Sequence, residues 1–426
     1  MALRNGNYRE FHLDNGLLVA LQETPTRTVS GNLRVWHGAV HENPGEEGIA
    51  HFLEHTLMTG GSKKYDPNMA ESIRRTFGYS NAFTSLDRTE FPVDMIAEDT
   101  SLYLEYVSDA AFNPAFDSVR VEQERERVLR ETADAKSKPS FKDKRTNTEA
   151  FFGKNSPHSY LILGKEEIVT SGSIDSLRRF HGRGYHPNNM ELILAGGLPQ
   201  NVEELIRQNF ESFKSGSGKK FQFPRNPSLT SAITLHTSAP DQYNVDNPSQ
   251  SSAEIAMALV APTAADEDTF VIRLLVSVLG GGGHGRLFDR VSNMEGLAYS
   301  IGAQYDAENN RGAIYIGGNV DARRAFKAVD VIFEEMTKLR TVLVSQDILE
   351  NLKRNAWYNV AKSFETNEGR IYAIEKKLDC GKTPEFILEQ INAVTPKRIL
   401  EAAIKYLPSS RADGKYVLLL RDPLKK

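Results

Sequence analysis

Ser215-Gly-Ser-Gly-Lys-Lys-Phe-Gln-Phe-Pro-Arg-Asn-Pro-Ser228 is the stretch on which the reading of this 426-residue chain turns. It is rich in glycine, serine, lysine and proline and poor in apolar residues, which is the composition of a linker. It cuts the chain almost in half and so prompts a search for an internal repeat. One offset recurs. Gly60-Gly61 ends a helical pattern and Tyr79-Ser80 opens an extended one. Gly280-Gly281 ends the apolar run Phe270–Leu279 and Tyr299-Ser300 opens a second strand, each pair 220 residues further on. The expected organisation is a duplicated domain: residues 1–214, a linker at 215–228, and a homologous domain at 229–426.

Within the first half, Phe11–Leu13 and Leu17–Gln22 flank Asp14-Asn15-Gly16, a strong hairpin signal. Extended segments are predicted at Val29–Val40, Tyr79–Ser85, Glu90–Met95 and Met190–Ala195. Helices are predicted over Ile49–Met58, Asn68–Phe77, 101–112, 117–134, Ile174–His181 and Val202–Phe213. Helices mixed with hairpins point to an α+β fold of two similar domains, each a mainly antiparallel sheet covered by helices.

With 40% hydrophobic and 25% charged residues the chain can bury a sizeable core. Its 52 basic and 56 acidic residues leave a net charge of −4 and no basic footprint, which argues against nucleic-acid binding. The single cysteine, Cys380, excludes an internal disulfide and a cysteine-based zinc site, and reads as a small packed side chain. No apolar stretch reaches the ~18 residues of a membrane span. The opening Met1-Ala-Leu-Arg-Asn-Gly-Asn has no apolar signal region, so a cytoplasmic location is expected.

The sharpest local feature is His51-Phe-Leu-Glu54-His55, an H-x-x-E-H pattern on a predicted helix. At ~100° per residue the two histidines lie about 40° apart with Glu54 beside them, so all three share one face. Two imidazoles one turn apart can chelate zinc, and an adjacent carboxylate can act as general base on the water that zinc activates. Five letters with three fixed also recur by chance, so a polar helix face remains open. A third ligand must come from elsewhere. Glu124-Arg-Glu-Arg-Val-Leu-Arg-Glu131 places carboxylates seven residues apart on one helix face. Taken alone, that segment reads better as a solvated helix with Glu126–Arg130 and Arg127–Glu131 pairs.

H-x-x-E-H followed by Glu131, 76 positions after His55, resembles the inverted zinc metallopeptidases of the pitrilysin, insulin-degrading enzyme and mitochondrial processing peptidase family. The likeness runs along most of the chain. Asn81-Ala82-Phe-Thr84 resembles the family's Asn-Ala-x-Thr strand. Pro157–Gly164 and Tyr185–Met190 are similar to segments closing its first domain. Gly280–Phe288 and Gly296-Leu-Ala-Tyr299-Ser300 are similar to second-domain elements. The resemblance implies the short two-domain type and one zinc held by His51, His55 and Glu131, with Glu54 activating water and Glu124 supporting the site. It further implies that Asn81 and Ala82 pair with substrate backbone, and that Tyr299 meets substrate across a chamber enclosed by the two halves. Under the 220-residue offset the zinc residues map to Val271, Leu274, Leu275 and Asn351, so the second half keeps the fold without the metal.

One position departs from the family pattern. Ser292 stands seven residues before Tyr299, where an arginine is expected; Arg286 and Arg290 have the wrong spacing. Either a related partner subunit lacking H-x-x-E-H supplies the arginine in a heterodimer, or a homodimer works with altered preference. The reading leans to the former. The expected activity is that of a zinc metalloendopeptidase acting on short or unfolded peptides; the alternative is a non-catalytic assembly or docking subunit. Gly280-Gly-Gly-Gly-His284-Gly-Arg lacks the G-K-[ST] ending of a phosphate loop and reads as a turn. His37, His41, His158, His181 and His186 read as structural or surface residues. There is no G-x-S-x-G nucleophile elbow.

Overall fold

The Asp14-Asn15-Gly16 turn joins strand β1 (Asn7–His12) to β2 (Leu18–Glu23), antiparallel with His12 opposite Leu18. This is seen in a computed structural model, which describes residues 7–225, 229, 231–238, 251–281 and 285–423. Asn15 locks the turn: its side-chain N–H groups donate to Phe210 O and Phe213 O, and its Oδ1 accepts the Leu17 N–H. After β3 (Thr28–Val35) come helices α1 (Ile49–Thr59) and α2 (Pro67–Thr76), short strands β4 (Tyr79–Ser80) and β5 (Phe83–Thr84), and β6 (Thr89–Ile96). Then follow α3 (Thr100–Phe112), α4 (Ser118–Ser137), α5 (Pro139–Phe152), α6 (Glu166–Ser171), α7 (Ile174–Gly184), β7 (Met190–Gly196) and α8 (Val202–Phe210).

The expected strand Val29–Val40 stops at Val35. Beyond it the Trp36 N–H bonds to Asn189 O, and a Cβ at Gly38 would stand 2.5 Å from Ser85 O, so the backbone leaves the ladder for a 3-10 turn. The helix expected over Val202–Phe213 ends at Phe210.

The second half supplies β8 (Ile233–Ser238), β9 (Ser252–Val260), α9 (Thr269–Gly280), β10 (Ala298–Ala307) and β11 (Gly312–Asp321). It continues through α10 (Ala325–Thr341), α11 (Gln346–Ser363), α12 (Asn367–Cys380), α13 (Pro384–Asn392), α14 (Pro396–Tyr406) and β12 (Tyr416–Asp422). The duplication is written in the sheets. The first runs β1-β2-β7-β3-β6-β4, with β5 also on β6, and the second runs β8-β12-β9-β11-β10. In each, one pair is parallel, β2 with β7 and β8 with β12, and the others are antiparallel. The fold is therefore α+β, built twice. β7 and β12 are buried end to end, which explains the apolar runs Leu192–Ala195 and Val417–Leu420 within them: both faces are covered.

The chain forms two compact units, and each borrows from the other half of the sequence. One holds the chain up to Lys138, Tyr160–Gln222 and Ala361–Lys376; the other holds Pro139–Ser159, Phe223–Val360 and the chain from Lys377. The helices these segments carry, α5 and α12, are both 14 residues long and begin 228 positions apart, so the borrowed segments are themselves repeats of one another. In the first unit Leu17, Val19, Leu33, Phe52, Leu53, Leu104, Val128, Phe180 and Leu192 share one core. In the second, Phe151 and Phe152 of α5 pack with Ala258, Ala313 and Val417. Nothing in the charged pattern of α5 announced this helix.

The segment 361–376 is tied to the first unit by Asn367. Its side-chain N–H groups reach Thr28 O at 2.9 Å, Thr28 Oγ1 at 3.1 Å and Thr26 Oγ1 at 3.2 Å. Asn367→Ala leaves these acceptors without their donor and is expected to destabilise the protein by about 1–3 kcal/mol, read as a lowered urea midpoint.

His37 and His181 are among the histidines that this unit buries neutral. His37 Nε2–H donates to Phe180 O at 3.1 Å and burial lowers its pKa to about 3. His181 donates to Ala111 O at 2.8 Å and burial lowers its pKa to about 4. Between the ordinary value of 6.5 and about 4 the unfolded chain binds both protons that the folded chain excludes. Their stabilisation is thus present above that window and lost as pH falls through it, at about 2.7 kcal/mol per pH unit for the pair. Urea titrations from pH 7 to 4.5 are expected to show at least this slope, and His37→Gln to lower it by about 1.4 kcal/mol per pH unit.

Candidate active site

Helix α1 separates its faces by period. Ile49, Phe52, Leu53 and Leu57 go into the core, while His51, Glu54, His55 and Met58 line a cleft of about 520 Å³. Helix α4 packs across α1 and is started by Asp117, whose carboxylate accepts the Arg120 N–H at 2.9 Å. Its Val121 and Val128 bury, and that burial turns Glu124 and Glu131 towards α1.

The donors converge. Glu131 Oε2 stands 3.9 Å from His51 Nε2 and 3.6 Å from His55 Nε2. Two ligands each ~2.1 Å from a tetrahedral ion lie ~3.4 Å apart, so this set fits a zinc-sized cation. His55 Nδ1 donates to Glu124 Oε2 at 3.0 Å, which leaves its Nε2 lone pair for a metal. His51 Nδ1 is buried and has no hydrogen-bond partner among the described residues.

Electrostatics sort the roles. Burial, helped by the neighbouring His55, lowers His51 to about 4, so it is a neutral donor at physiological pH. For His55 burial works downward, but the Glu124 hydrogen bond and the carboxylates of Glu54, Glu124 and Glu131 outweigh it and hold the pKa above the ordinary value. Glu124 is resisted by burial yet held low by His55. Glu54, only 7% exposed, is raised: burial outweighs His55 and the hydrogen bond from Thr84 Oγ1 at 3.1 Å. A carboxylate with a raised pKa beside a metal-type donor set is suited to moving a proton.

The sequence-predicted residues His51, Glu54, His55, Glu124 and Glu131 thus meet in one place. Asn81 and Ala82 join β4 to β5 and line the same cleft at the sheet edge. Tyr299 lies on β10 of the other unit, 94% exposed. Of the ion pairs expected along α4, Glu126–Arg130 forms at 3.5 Å, but Arg127 turns to Glu124 at 3.8 Å and Glu131 faces the histidines. The expected match of Glu131 to Asn351 is also corrected. α4 and α11 begin 228 positions apart, because β10 and β11 are longer than β4 to β6 and α10 is longer than α3, and this brings Asn359 to the equivalent place. Val271, Leu274 and Leu275 are buried in α9, where no ion could be held.

Arg290 does not stand in for the missing arginine, since Glu295 holds it at 2.7 Å with Glu334 and Glu335 nearby. His284, with Gly282 and Gly283, lies outside the described residues, as do 226–228 of the linker. Three contributors escaped the sequence reading. Thr84 orients Glu54, and was quoted only as part of Asn-Ala-x-Thr. Ile162 and Leu163 wall the cleft. Their segment is seated by a contact only glycines allow: a Cβ on Gly164, at φ +65°, would stand 2.2 Å from Gly48 Cα.

Glu124→Ala removes the partner that fixes the His55 tautomer. Zinc affinity, measured by chelator competition, is expected to fall about 10–100-fold with the fold retained.

Comparison with known proteins agrees with this geometry. The family profile described as Insulinase (Peptidase family M16) matches residues 18–159, and the one described as Peptidase M16 inactive domain matches residues 172–356. The uncharacterized zinc protease YmxG of Bacillus subtilis is 26% identical over 395 residues, spanning 92% of this chain and 93% of its own. An uncharacterized zinc protease of Rickettsia bellii is 26% identical over 95% of this chain and 96% of its own. Among solved structures, a protease from Helicobacter pylori superposes with a TM-score of 0.84 at 20% identity, covering 98% of this chain and all of that one. The periplasmic protease PqqL of Escherichia coli gives 0.81 at 18% identity, covering 99% of this chain and 48% of that one. His51, Glu54, His55 and Glu131 fall in the half that matches the insulinase profile, and Val271, Leu274, Leu275 and Asn359 take their places in the half that matches the inactive domain; with the two profiles spanning most of its length, the chain belongs to peptidase family M16.

Proposed function

We propose that the protein is a zinc metalloendopeptidase that cleaves extended peptide segments. The observation that carries this reading is the convergence of His51 Nε2, His55 Nε2 and Glu131 Oε2 beside the buried Glu54. These three residues would hold the ion. When bound, zinc supplies Lewis acidity, making a water acidic near neutral pH and polarising the scissile carbonyl.

The remaining work falls to the chain. Glu54 takes a proton from the attacking water and returns it to the leaving amine, a shuttle suited to a carboxyl raised by burial and aimed by Thr84. The edge at Asn81–Ala82 can accept a substrate as an added strand, with main-chain bonds giving affinity and neighbouring side chains giving preference. That mode requires an unfolded backbone, so short or unstructured peptides are the substrate class.

A purely structural role has no use for four such groups in register. The occupied Arg290 supports a dimer in which a second subunit, most simply a related chain lacking H-x-x-E-H, completes the substrate clamp next to Tyr299.

The test is cleavage of an unstructured peptide pool by the purified chain, read by mass spectrometry. Cleavage is expected to fall at least 10³-fold in Glu54→Gln and on zinc chelation, and to return with zinc only in the wild type. A zinc-loaded chain that is inactive alone supports the requirement for a second subunit. A chain that binds no zinc contradicts the peptidase reading.

A further inference from the structure

His51 sits in the first turn of α1, where a helix has no internal partners for its N–H groups and frays most readily. The N-cap is Gly48, which has no side-chain oxygen to offer, and the first turn holds no acidic residue. The loop before the helix meets this need. Glu42 Oε1 accepts the Ala50 N–H at 2.8 Å, and the Gly48 N–H lies against the same carboxylate. Ile49 N–H donates to Glu46 O at 2.9 Å.

The neighbouring acids are engaged elsewhere: Glu46 pairs with Arg183 of α7, and Glu47 with Lys165 at 2.8 Å. Glu42 instead turns inward. Burial, with Glu47 and Glu46 adding, pushes its carboxyl up to about 8 in spite of the backbone donors. A side chain drawn into so unfavourable a place for a charge is there for the hydrogen bonds it accepts.

We infer that Glu42 is a positioning residue of the metal centre, whose carboxyl oxygen clamps the first turn of α1 and so fixes where His51 Nε2 stands. The inference rests on the zinc reading above. Helical side chains lean back towards the N-terminus, so the His51 imidazole overlies the turn that Glu42 holds. The rest of α1 is anchored by Phe52, Leu53 and Leu57 in the core. Loss of the clamp therefore frays one turn and loosens one metal donor while the fold stands. Charge is not required, because a neutral carboxyl or amide oxygen accepts the same N–H.

The experiment compares wild type, Glu42→Gln, Glu42→Ala and Glu42→Met, the last keeping the packed volume without the acceptor. Zinc affinity is measured by chelator competition, amide hydrogen exchange is followed over residues 48–51 without metal, and thermal unfolding is recorded. Glu42→Ala and Glu42→Met are expected to bind zinc at least about 10-fold more weakly and to exchange faster at Ala50 and His51, with a nearly unchanged melting temperature. Glu42→Gln is expected within about threefold of wild type on both readouts. Wild-type affinity and exchange in Glu42→Met overturns the inference, as does a Glu42→Gln variant as weak as Glu42→Met. If Glu42→Ala does not fold, the Gln and Met pair decides. A wild type that binds no zinc overturns the reading beneath it, while the exchange data still judge the clamp itself.

Discussion

Two imidazoles one helical turn apart can share an ion with a third donor only if the helix carrying that donor cannot slide. Here the constraint is the packing of α4 across α1, pinned by the His55–Glu124 hydrogen bond of 3.0 Å. It does two things at once. It selects the tautomer that leaves His55 Nε2 free, and it sets the register in which Glu131, two turns further along α4, faces both histidines. The apolar faces of the two helices supply the binding energy, and the polar contact supplies the register.

The second unit shows what the same architecture does without this chemistry. Apart from the extra edge strand β1, the strand order, the single parallel pair and the helix that follows β3 and β9 are all repeated. At the positions equivalent to His51, Glu54 and His55, Val271, Leu274 and Leu275 simply extend the core. Retaining buried histidines and carboxylates there without an ion would leave desolvated polar groups unpaired, so their replacement by apolar side chains is what stability alone favours. The first unit bears that cost: His51 is buried with its Nδ1 unpartnered among the described residues, and Glu54 is buried with its pKa raised. Sites of this kind carry function because packing alone would remove them.

Much of this was legible in the one-dimensional pattern, for identifiable reasons. The Asn15-Gly16 turn and the helical face of His51, Glu54 and His55 depend on neighbours within a few residues, and both appear where the local rules place them. The duplication showed in the Gly-Gly and Tyr-Ser offsets because these punctuate a helix and a strand at equal spacing. Glu131 was ambiguous, since a carboxylate on a charged helix looks the same whether it meets solvent or an imidazole. What stayed hidden depends on three-dimensional proximity. Thr84 reaches Glu54 across 30 residues, Asn367 reaches Thr28 across 339, and α5 lends its phenylalanines to the other half's sheet. The drift from 220 to 228 between equivalent helices arises from longer strands in the second sheet and a longer α10 after them, which no single offset could capture.

The central claim is that His51, His55 and Glu131 together form the zinc centre. X-ray absorption at the zinc edge of the purified chain, with metal content determined on the same sample, tests it most directly. The account predicts about one zinc per chain in a four-coordinate nitrogen and oxygen shell carrying two imidazole signatures, reduced to one in His51→Ala. A sulfur ligand, a metal-free chain, or an unchanged two-imidazole spectrum in His51→Ala would contradict it.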